Sequence, residues 1–165
     1  MNITTNGNNT MKYYIAGNRG LVGTHYSSVT NAIGGNTSTV DYSDAASTRK
    51  EFKELEKAGQ LPTHVIVNAA TIGGLQEDLD FAYELMIRNL TIQNNLFNVC
   101  SEFGIDRVLL QGSTCSYPAV GNQPYDEDEL FNGVPFKTYF PTAMPKLMGM
   151  YQCRAKNEKA GTHWH

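Results

Sequence analysis

The fold is indicated most clearly by the stretch Ala16-Gly17-Asn18-Arg19-Gly20-Leu21-Val22-Gly23. This stretch directly follows the apolar run Tyr13-Tyr14-Ile15. A short strand that runs into three glycines spaced by three predicts a backbone built for close approach to a ligand. The first glycine allows a tight turn, the second leaves room for a phosphate, and the third lets the next helix pack on the sheet. A pyrophosphate bound there would lie on the free N–H groups and positive dipole end of that helix.

The glycine spacing is not specific by itself. Gly-x-x-Gly-x-x-Gly differs from the Gly-x-Gly-x-x-Gly of the commonest dinucleotide fingerprint. The chain also has 15 glycines among 165 residues, so a plain glycine-rich turn is an alternative. The spacing alone therefore leaves both a dinucleotide site and a turn without a ligand open.

Length and composition indicate one domain with its own core. The net charge of −3 and the pI of about 5.8 give no electrostatic case for nucleic acid. Cys100, Cys115 and Cys153 lack the spacing of metal ligands, so we predict neither a metal site nor a disulfide framework. No apolar run could span a bilayer and no signal peptide is present. We expect a cytoplasmic protein without a membrane partner.

The rest of the chain alternates between predicted strands and predicted helices. We expect residues 1–10 to form a disordered leader and residues 11–165 to form one domain. The predicted strands are 12–16, 38–42, 64–70 and 107–111, and the predicted helices begin near Gly20 and cover 44–58, 79–103 and 145–159, with a long loop at 119–141. Segment 24–30 is poor in helix formers and is the weakest element.

This alternation predicts an α/β fold with a doubly wound parallel sheet. In such sheets, ligands bind beyond the carboxyl ends of the strands. The glycine loop, the loop after Asn68 and the loop at Ser113 all leave from those ends. We therefore expect the three loops to converge.

The motifs in these loops resemble the extended short-chain dehydrogenase/reductases, and within that family the GDP-L-fucose synthases. They are the glycine loop, Asn68-Ala-Ala-Thr-Ile-Gly-Gly74 and Gly112-Ser-Thr-Cys-Ser-Tyr-Pro118; Pro141-Thr-Ala-Met-Pro-Lys-Leu-Met-Gly149 resembles the family's catalytic helix segment. The resemblance covers about residues 12–160. It implies a Rossmann-type fold and an NADP-dependent epimerase/reductase that acts on the nucleotide sugar GDP-4-keto-6-deoxymannose.

The resemblance also assigns cofactor-binding residues by position. They are Gly17, Arg19, Gly20, Leu21, Val22, Gly23, Asn68, Ala69, Ala70 and Lys146. Arg19 matches an arginine associated with the 2′-phosphate of NADP, and its alternative is a solvated loop residue. Asn68 would line the cofactor or only tie down its own turn. The strand that reads the adenosine ribose lacks the expected basic residue, so NAD stays possible.

The catalytic residues implied by the resemblance are Ser113, Cys115 and Lys146. Ser113 would hydrogen-bond the substrate carbonyl. Cys115 matches a cysteine implicated in proton transfer during epimerisation, and its alternative is a small buried hydrophobe. Lys146 would hold the nicotinamide ribose or would simply be exposed.

The general acid departs from the family pattern. The family uses a tyrosine four residues before the lysine, but Thr142 stands there, and an aliphatic hydroxyl is a far weaker acid. Tyr139 lies seven residues before Lys146, on the same face only if the helix extends back to it. Pro141 and Pro145 predict that it does not. Whether the chain is an enzyme is therefore open.

The expected partners and alternatives follow from the same resemblance. The chain ends at His165, so we expect a domain truncated before the C-terminal substrate domain, with His163 and His165 outside the catalytic machinery. Residues 79–103 and 145–159 match helices that pair across a homodimer axis, unless their apolar surface covers their own sheet. The alternatives to an impaired GDP-L-fucose synthase-like enzyme are a non-catalytic dinucleotide-binding domain and a relic fragment.

Overall fold

A computed structural model describes residues 11–121 and 123–165, so the leader expected at residues 1–10 lies outside the described residues. No helix in this part of the chain is long and apolar enough to cross a membrane. The strands are β1 Tyr13–Ala16, β2 Ile33–Gly35, β3 His64–Val67, β4 Arg107–Leu110 and β5 His163–Trp164. The helices are α1 Leu21–Thr30, α2 Ala45–Lys57, α3 Leu75–Asp80, α4 Ala82–Glu102 and α5 Phe140–Ala160, with 3₁₀ turns at Thr114–Ser116, Glu127–Glu129 and Lys137–Tyr139.

The five strands form one parallel sheet in the order β2-β1-β3-β4-β5. The chain first moves from β1 to β2, and it then crosses back over β1 and continues outward through β3, β4 and β5. Right-handed crossovers place α1 on one face of such a sheet and the later helices on the other. The predicted doubly wound, Rossmann-type parallel sheet is confirmed, and its order reverses between β1 and β3.

The main core lies on the face of the sheet that carries α2, α4 and α5. Alternate strand residues point into it, among them Tyr14, Val65, Val108 and Trp164. On the opposite face, Ile15 is fully buried, whereas Leu109 on the inner strand β4 is 40% exposed. Buried parallel strands are normally covered on both faces. The described chain therefore covers one face of its sheet thoroughly and the other only in part.

The second helix follows its sequence signals. The carboxylate of Asp44 accepts hydrogen bonds from the N–H groups of Ala46 and Ser47, both at 3.1 Å, and this N-cap begins α2. Phe52 is fully buried, as its helical spacing predicts. Gly59 has a φ of +68° and ends the element.

The second strand was predicted in the wrong place. It is Ile33–Gly35, whereas residues 38–42 form turns and irregular structure. Gly34 and Gly35 look like loop residues, but their lack of side chains is what admits the strand. A Cβ on Gly35 would overlap the Tyr42 hydroxyl, and a Cβ on Gly34 would overlap the Ile15 carbonyl oxygen.

The helix after Gly20 forms despite its poor composition. Ser27 and Thr30 donate their hydroxyls to the carbonyls of Gly23 and Tyr26, four residues earlier, at 2.9 and 2.6 Å. Their hydroxyl groups therefore bond to the helix's own backbone. Asn31 adopts the left-handed conformation, with φ 49°, and closes the element.

Two further predictions need correction. The helix predicted at 79–103 is two helices, α3 and α4, separated at Phe81, where φ −124° leaves the helical region. No proline or glycine marks this break, and α3 packs against the 3₁₀ turn Lys137–Tyr139. The C-terminal segment adds strand β5, which pairs with β4 and was not predicted.

The final helix begins five residues earlier than predicted and contains both Pro141 and Pro145. Pro141 lies in the first turn, where an N–H is not required. Pro145 lies inside the helix and cannot donate to the Pro141 carbonyl four residues earlier. That carbonyl instead accepts a 3.1 Å hydrogen bond from the Asn89 side chain of α4. The helix therefore begins at Phe140 and not at Pro145, because a tertiary contact supplies the missing donor.

Candidate functional site

A groove of about 660 Å³ lies at the carboxyl ends of β1 and β3, where the strand order reverses. The glycine loop and the segment after β3 both line it, as predicted. Its lining residues are Gly17, Arg19, Gly20, Leu21, Val22, Asn36, Thr37, Val40, Asp41, Tyr42, Asn68, Ala69, Ala70, Thr71, Ile72, Arg88 and Ile92. Ser113, Cys115 and Lys146 do not line this groove, so the convergence of the three loops is partial.

The three glycines of the loop have different surroundings. Gly17 has a φ of +88°, and a Cβ there would lie 2.9 Å from the Ala69 nitrogen. A Cβ on Gly23 would overlap the carbonyl oxygen of Gly17. Above Gly20, by contrast, a Cβ would find only ordinary contacts, 3.5 Å from the Gly17 oxygen and 3.9 Å from the Asn68 side chain. Gly17 and Gly23 are required by the fold, whereas Gly20 leaves open space on the groove.

The first turn of α1 faces this space without a protein cap. Gly20 is the N-cap residue and offers no side chain to the first N–H groups of the helix. Such uncapped N–H groups and the positive helix end favour an anion. The groove geometry therefore fits a phosphate group beside Gly20, Leu21 and Val22.

Arg19 lies beside the end of β2. Its guanidinium donates a 3.3 Å hydrogen bond to the Ser38 hydroxyl, and the Asn36 carboxamide oxygen accepts a 3.0 Å bond from the Ser38 N–H. This cluster of one cation and neutral polar groups contains no carboxylate. A carboxylate at this position would favour the free 2′-hydroxyl of NAD, so its absence fits a 2′-phosphate better.

Asn68, Ala69 and Ala70 follow β3 and form the opposite wall of the groove. Asn68 is anchored by its backbone, whose N–H donates to the Ala16 carbonyl at 3.1 Å. Its side chain lies near Gly20, where an added Cβ would be 3.9 Å from the Asn68 side-chain nitrogen. Both expected roles of Asn68, in shaping the turn and in lining the groove, are compatible with this position.

The predicted catalytic residues belong to a second cluster, at the end of β4. Ser113 caps the 3₁₀ turn Thr114–Ser116, and its hydroxyl oxygen accepts a 3.2 Å bond from the Cys115 N–H. Cys115 is half-buried. The buried Ser116 hydroxyl donates to the Ala143 carbonyl of α5 at 3.5 Å. The turn that carries Ser113 and Cys115 therefore packs directly on the helix that carries Lys146.

Lys146 is 8% exposed, so the alternative that it is simply exposed is wrong. Burial lowers its pKa from 10.5 to about 8. Thr142 precedes it by one helical turn on the same side of α5. Tyr139 directly precedes α5 and lies two turns from Lys146, roughly 10 Å along the axis. The helix extends back further than the prolines predicted but stops short of Tyr139, so the service of Tyr139 as the acid stays a prediction.

Sequence reasoning missed Asn89, the polar side chain that joins the two clusters. Asn89 is 5% exposed. Its oxygen accepts from the Thr71 N–H at 2.7 Å, and its nitrogen donates to the carbonyls of Thr71 and Pro141 at 2.9 and 3.1 Å. An asparagine inside an otherwise amphipathic helix was the available signal, since buried polar groups need partners.

The chain matches the NAD dependent epimerase/dehydratase family over residues 13–164. It belongs to this family. Among curated relatives, it is 31% identical over 146 residues to the probable GDP-L-fucose synthase 1 of Oryza sativa, covering 87% of this chain and 44% of that protein. It is 27% identical over 157 residues to the GDP-L-fucose synthase of Escherichia coli, covering 91% and 47%. The chain thus spans about half the length of these relatives.

Solved structures of the family agree with this assignment. The GDP-mannoheptose C4 reductase of Campylobacter jejuni, solved with NADP bound, superposes with a TM-score of 0.81 at 25% identity. The superposition covers 92% of this chain and 44% of the reductase.

The buried lysine predicts a pH-dependent stability. Replacing Lys146 with Met removes the cost of burying an ammonium group and should raise the free energy of unfolding at pH 7, by at most roughly 3 kcal/mol. The pKa of Lys146 is lowered in the folded state, so the unfolded chain binds more protons between about pH 8 and 10.5. The cost is therefore fully present below pH 8 and is relieved as the pH rises through this window.

Urea unfolding of both proteins from pH 7 to 10.5 measures this effect. The advantage of Lys146→Met should shrink as the pH rises, and the difference between the two proteins cancels the titration of buried groups such as Tyr14 and Cys100. Lys159→Met, at an exposed position of the same helix, is the control and should show no such trend. If the difference in unfolding free energy between the parent and Lys146→Met stays constant with pH, the lowered pKa of Lys146 is contradicted.

Proposed function

We propose that this family member binds a nicotinamide dinucleotide in the groove between the glycine loop and the segment after β3. The observation that carries the proposal is the open space above Gly20, between two glycines that the fold itself requires. NADP is the favoured cofactor because Arg19 and Ser38 form a cationic, carboxylate-free cluster at the end of β2, and NAD stays possible. The bound cofactor would supply a hydride.

Substitution of the glycines tests the binding proposal. Gly20→Ala places a methyl group in the open space, so NADPH binding should weaken by at least about 10-fold, or roughly 1.4 kcal/mol, with stability unchanged. Gly23→Ala should instead destabilise the fold, because its methyl group would overlap the Gly17 carbonyl. Gly74→Ala, with nothing within 4 Å of the added Cβ, is the control.

Nicotinamide fluorescence titrations with NADPH and NADH, paired with thermal unfolding, provide the measurement. A folded parent protein that binds neither dinucleotide would contradict the proposal. So would a Gly20→Ala variant that binds as tightly as the parent.

We propose further that the reaction is the reduction and epimerisation of a GDP-4-keto-6-deoxyhexose, impaired in this chain. The support is the similarity to GDP-L-fucose synthases together with the cluster of Ser113, Cys115 and Lys146. In this assignment Ser113 donates a hydrogen bond to the substrate carbonyl, Cys115 transfers the proton at the epimerised carbon, and Lys146 binds the nicotinamide ribose. Thr142 at the position of the acid is what impairs the reduction.

Restoring the acid tests the impairment. Thr142→Tyr places a phenol one turn before Lys146, whose charge would lower the phenol pKa, and should raise turnover about 100-fold. NADPH oxidation with GDP-4-keto-6-deoxymannose is the assay. Thr142→Phe is the control, since it adds the ring without the hydroxyl. Equal turnover by the parent and both variants would contradict the role assigned to position 142.

A non-catalytic dinucleotide-binding domain is the second candidate function. Two observations favour it: Thr142 replaces the acid, and the predicted catalytic residues lie outside the groove that holds the glycine loop. It shares the cofactor site with the first proposal and differs only in turnover. A relic fragment without a ligand would differ from both in binding no dinucleotide.

For self-association, we propose a homodimer through the outer faces of α4 and α5. Met144, Met148 and Tyr151 form an exposed apolar stripe on α5 at helical spacing, and Tyr83 and Ile87 extend it on α4. Leu147 is buried against the chain's own core, so part of the expected apolar surface serves the fold. Sedimentation equilibrium should show a dimer that Met148→Lys dissociates, and a monomeric parent would rule the dimer out.

A further inference from the structure

No sequence motif predicts a role for Arg88, yet this residue lines the same groove as the glycine loop. It lies on α4, one turn before Ile92, which lines the groove as well. The next residue, Asn89, is fixed to both backbone groups of Thr71. These bonds hold the N-terminal half of α4 against the segment after β3, so Arg88 is presented to the groove from a fixed helix position.

The Arg88 guanidinium is not engaged by the other charged groups that the structure describes around the groove and can bind a ligand. In residues 11–121 and 123–165, it forms no hydrogen bond and no ion pair. The nearby carboxylate, Asp41, is held by the hydroxyl and N–H of Ser43 at 2.6 and 2.9 Å. These bonds lower the pKa of Asp41, and the charge of Arg88 adds to the effect. Asp41 is therefore an ionised neighbour of Arg88 whose own hydrogen bonds are made elsewhere.

The other cation of the groove has a different position. Arg19 bonds Ser38 at the end of β2, where the proposed function places the 2′-phosphate. Apart from Arg19, the glycine loop offers only neutral N–H groups and the partial charge of a helix end, about half an elementary charge. A diphosphate carries two negative charges, and a guanidinium matches its oxygens with two parallel hydrogen bonds.

We propose that Arg88 binds the pyrophosphate of the dinucleotide from the wall of the groove opposite the glycine loop. The inference rests on the proposed cofactor site. It assigns the negatively charged groups of the cofactor to two different arginines. Arg88 recognises the diphosphate shared by NADP and NAD. Arg19 recognises the 2′-phosphate that only NADP carries.

Calorimetric titration of the full chain with three ligands tests this division. The ligands are NADP⁺, NAD⁺ and adenosine 2′-monophosphate, which has the 2′-phosphate but no diphosphate. Arg88→Ala should weaken NADP⁺ and NAD⁺ equally, by about 10-fold to 100-fold, and should leave adenosine 2′-monophosphate unchanged. Arg88→Lys, which keeps the charge but loses the two-pronged geometry, should recover part of the loss. Arg19→Ala should weaken NADP⁺ and adenosine 2′-monophosphate but spare NAD⁺.

Arg154→Ala removes the same charge from α5, where Arg154 stacks on Phe131 away from the groove, and is the matched control. Unchanged affinities in Arg88→Ala, or a loss equal to that of Arg154→Ala, would overturn the inference. A loss confined to NADP⁺ and adenosine 2′-monophosphate would also overturn it, by moving Arg88 to the 2′-phosphate. A folded parent that binds neither NADP⁺ nor NAD⁺ would refute the cofactor site itself, and Arg88 with it.

Discussion

The contact between Gly23 and the Gly17 carbonyl is the constraint on which the rest of the structure depends. It brings the start of α1 directly against the end of β1, which no side chain at position 23 would permit. The same turn is also bonded to β2, because the N–H groups of Gly17 and Asn18 both donate to the Gly35 carbonyl, at 2.8 and 3.2 Å. One tight turn therefore fixes β1, β2 and α1 relative to each other and opens the groove beside β3.

A second constraint connects this groove to the cluster on α5. Asn89 bonds the backbone of Thr71 on the groove wall and the Pro141 carbonyl at the start of α5. Because Pro145 cannot satisfy that carbonyl, the first turn of α5 depends on another helix for its hydrogen bonding. One buried amide thus connects the groove wall to the helix that carries Lys146.

The two halves of the site are unequally developed. The nucleotide half has its glycine turn, uncapped helix end and two arginines on one groove. The proposed reactive half has Ser113, Cys115 and a buried lysine of lowered pKa, but Thr142 occupies the position of the acid. The family member also spans about half the length of its curated relatives, and Leu109 is exposed on the partly covered face of its sheet. This imbalance is why dinucleotide binding is the better supported part of the proposed function and turnover the weaker one.

The sequence by itself determined the alternation of strands and helices, the glycine turn, the Asp44 cap and the family, because these follow from local spacing and from motifs within a few residues. Tertiary structure alone decided the rest. Strand β2 forms from glycines because Tyr42 and Ile15 need the room, and α5 continues through Pro145 because Asn89, 52 residues from Pro141, supplies a donor. Likewise Arg88 reaches the groove only because α4 packs beside β3. Contacts between residues far apart in the chain leave no local pattern, and only the folded chain reveals them.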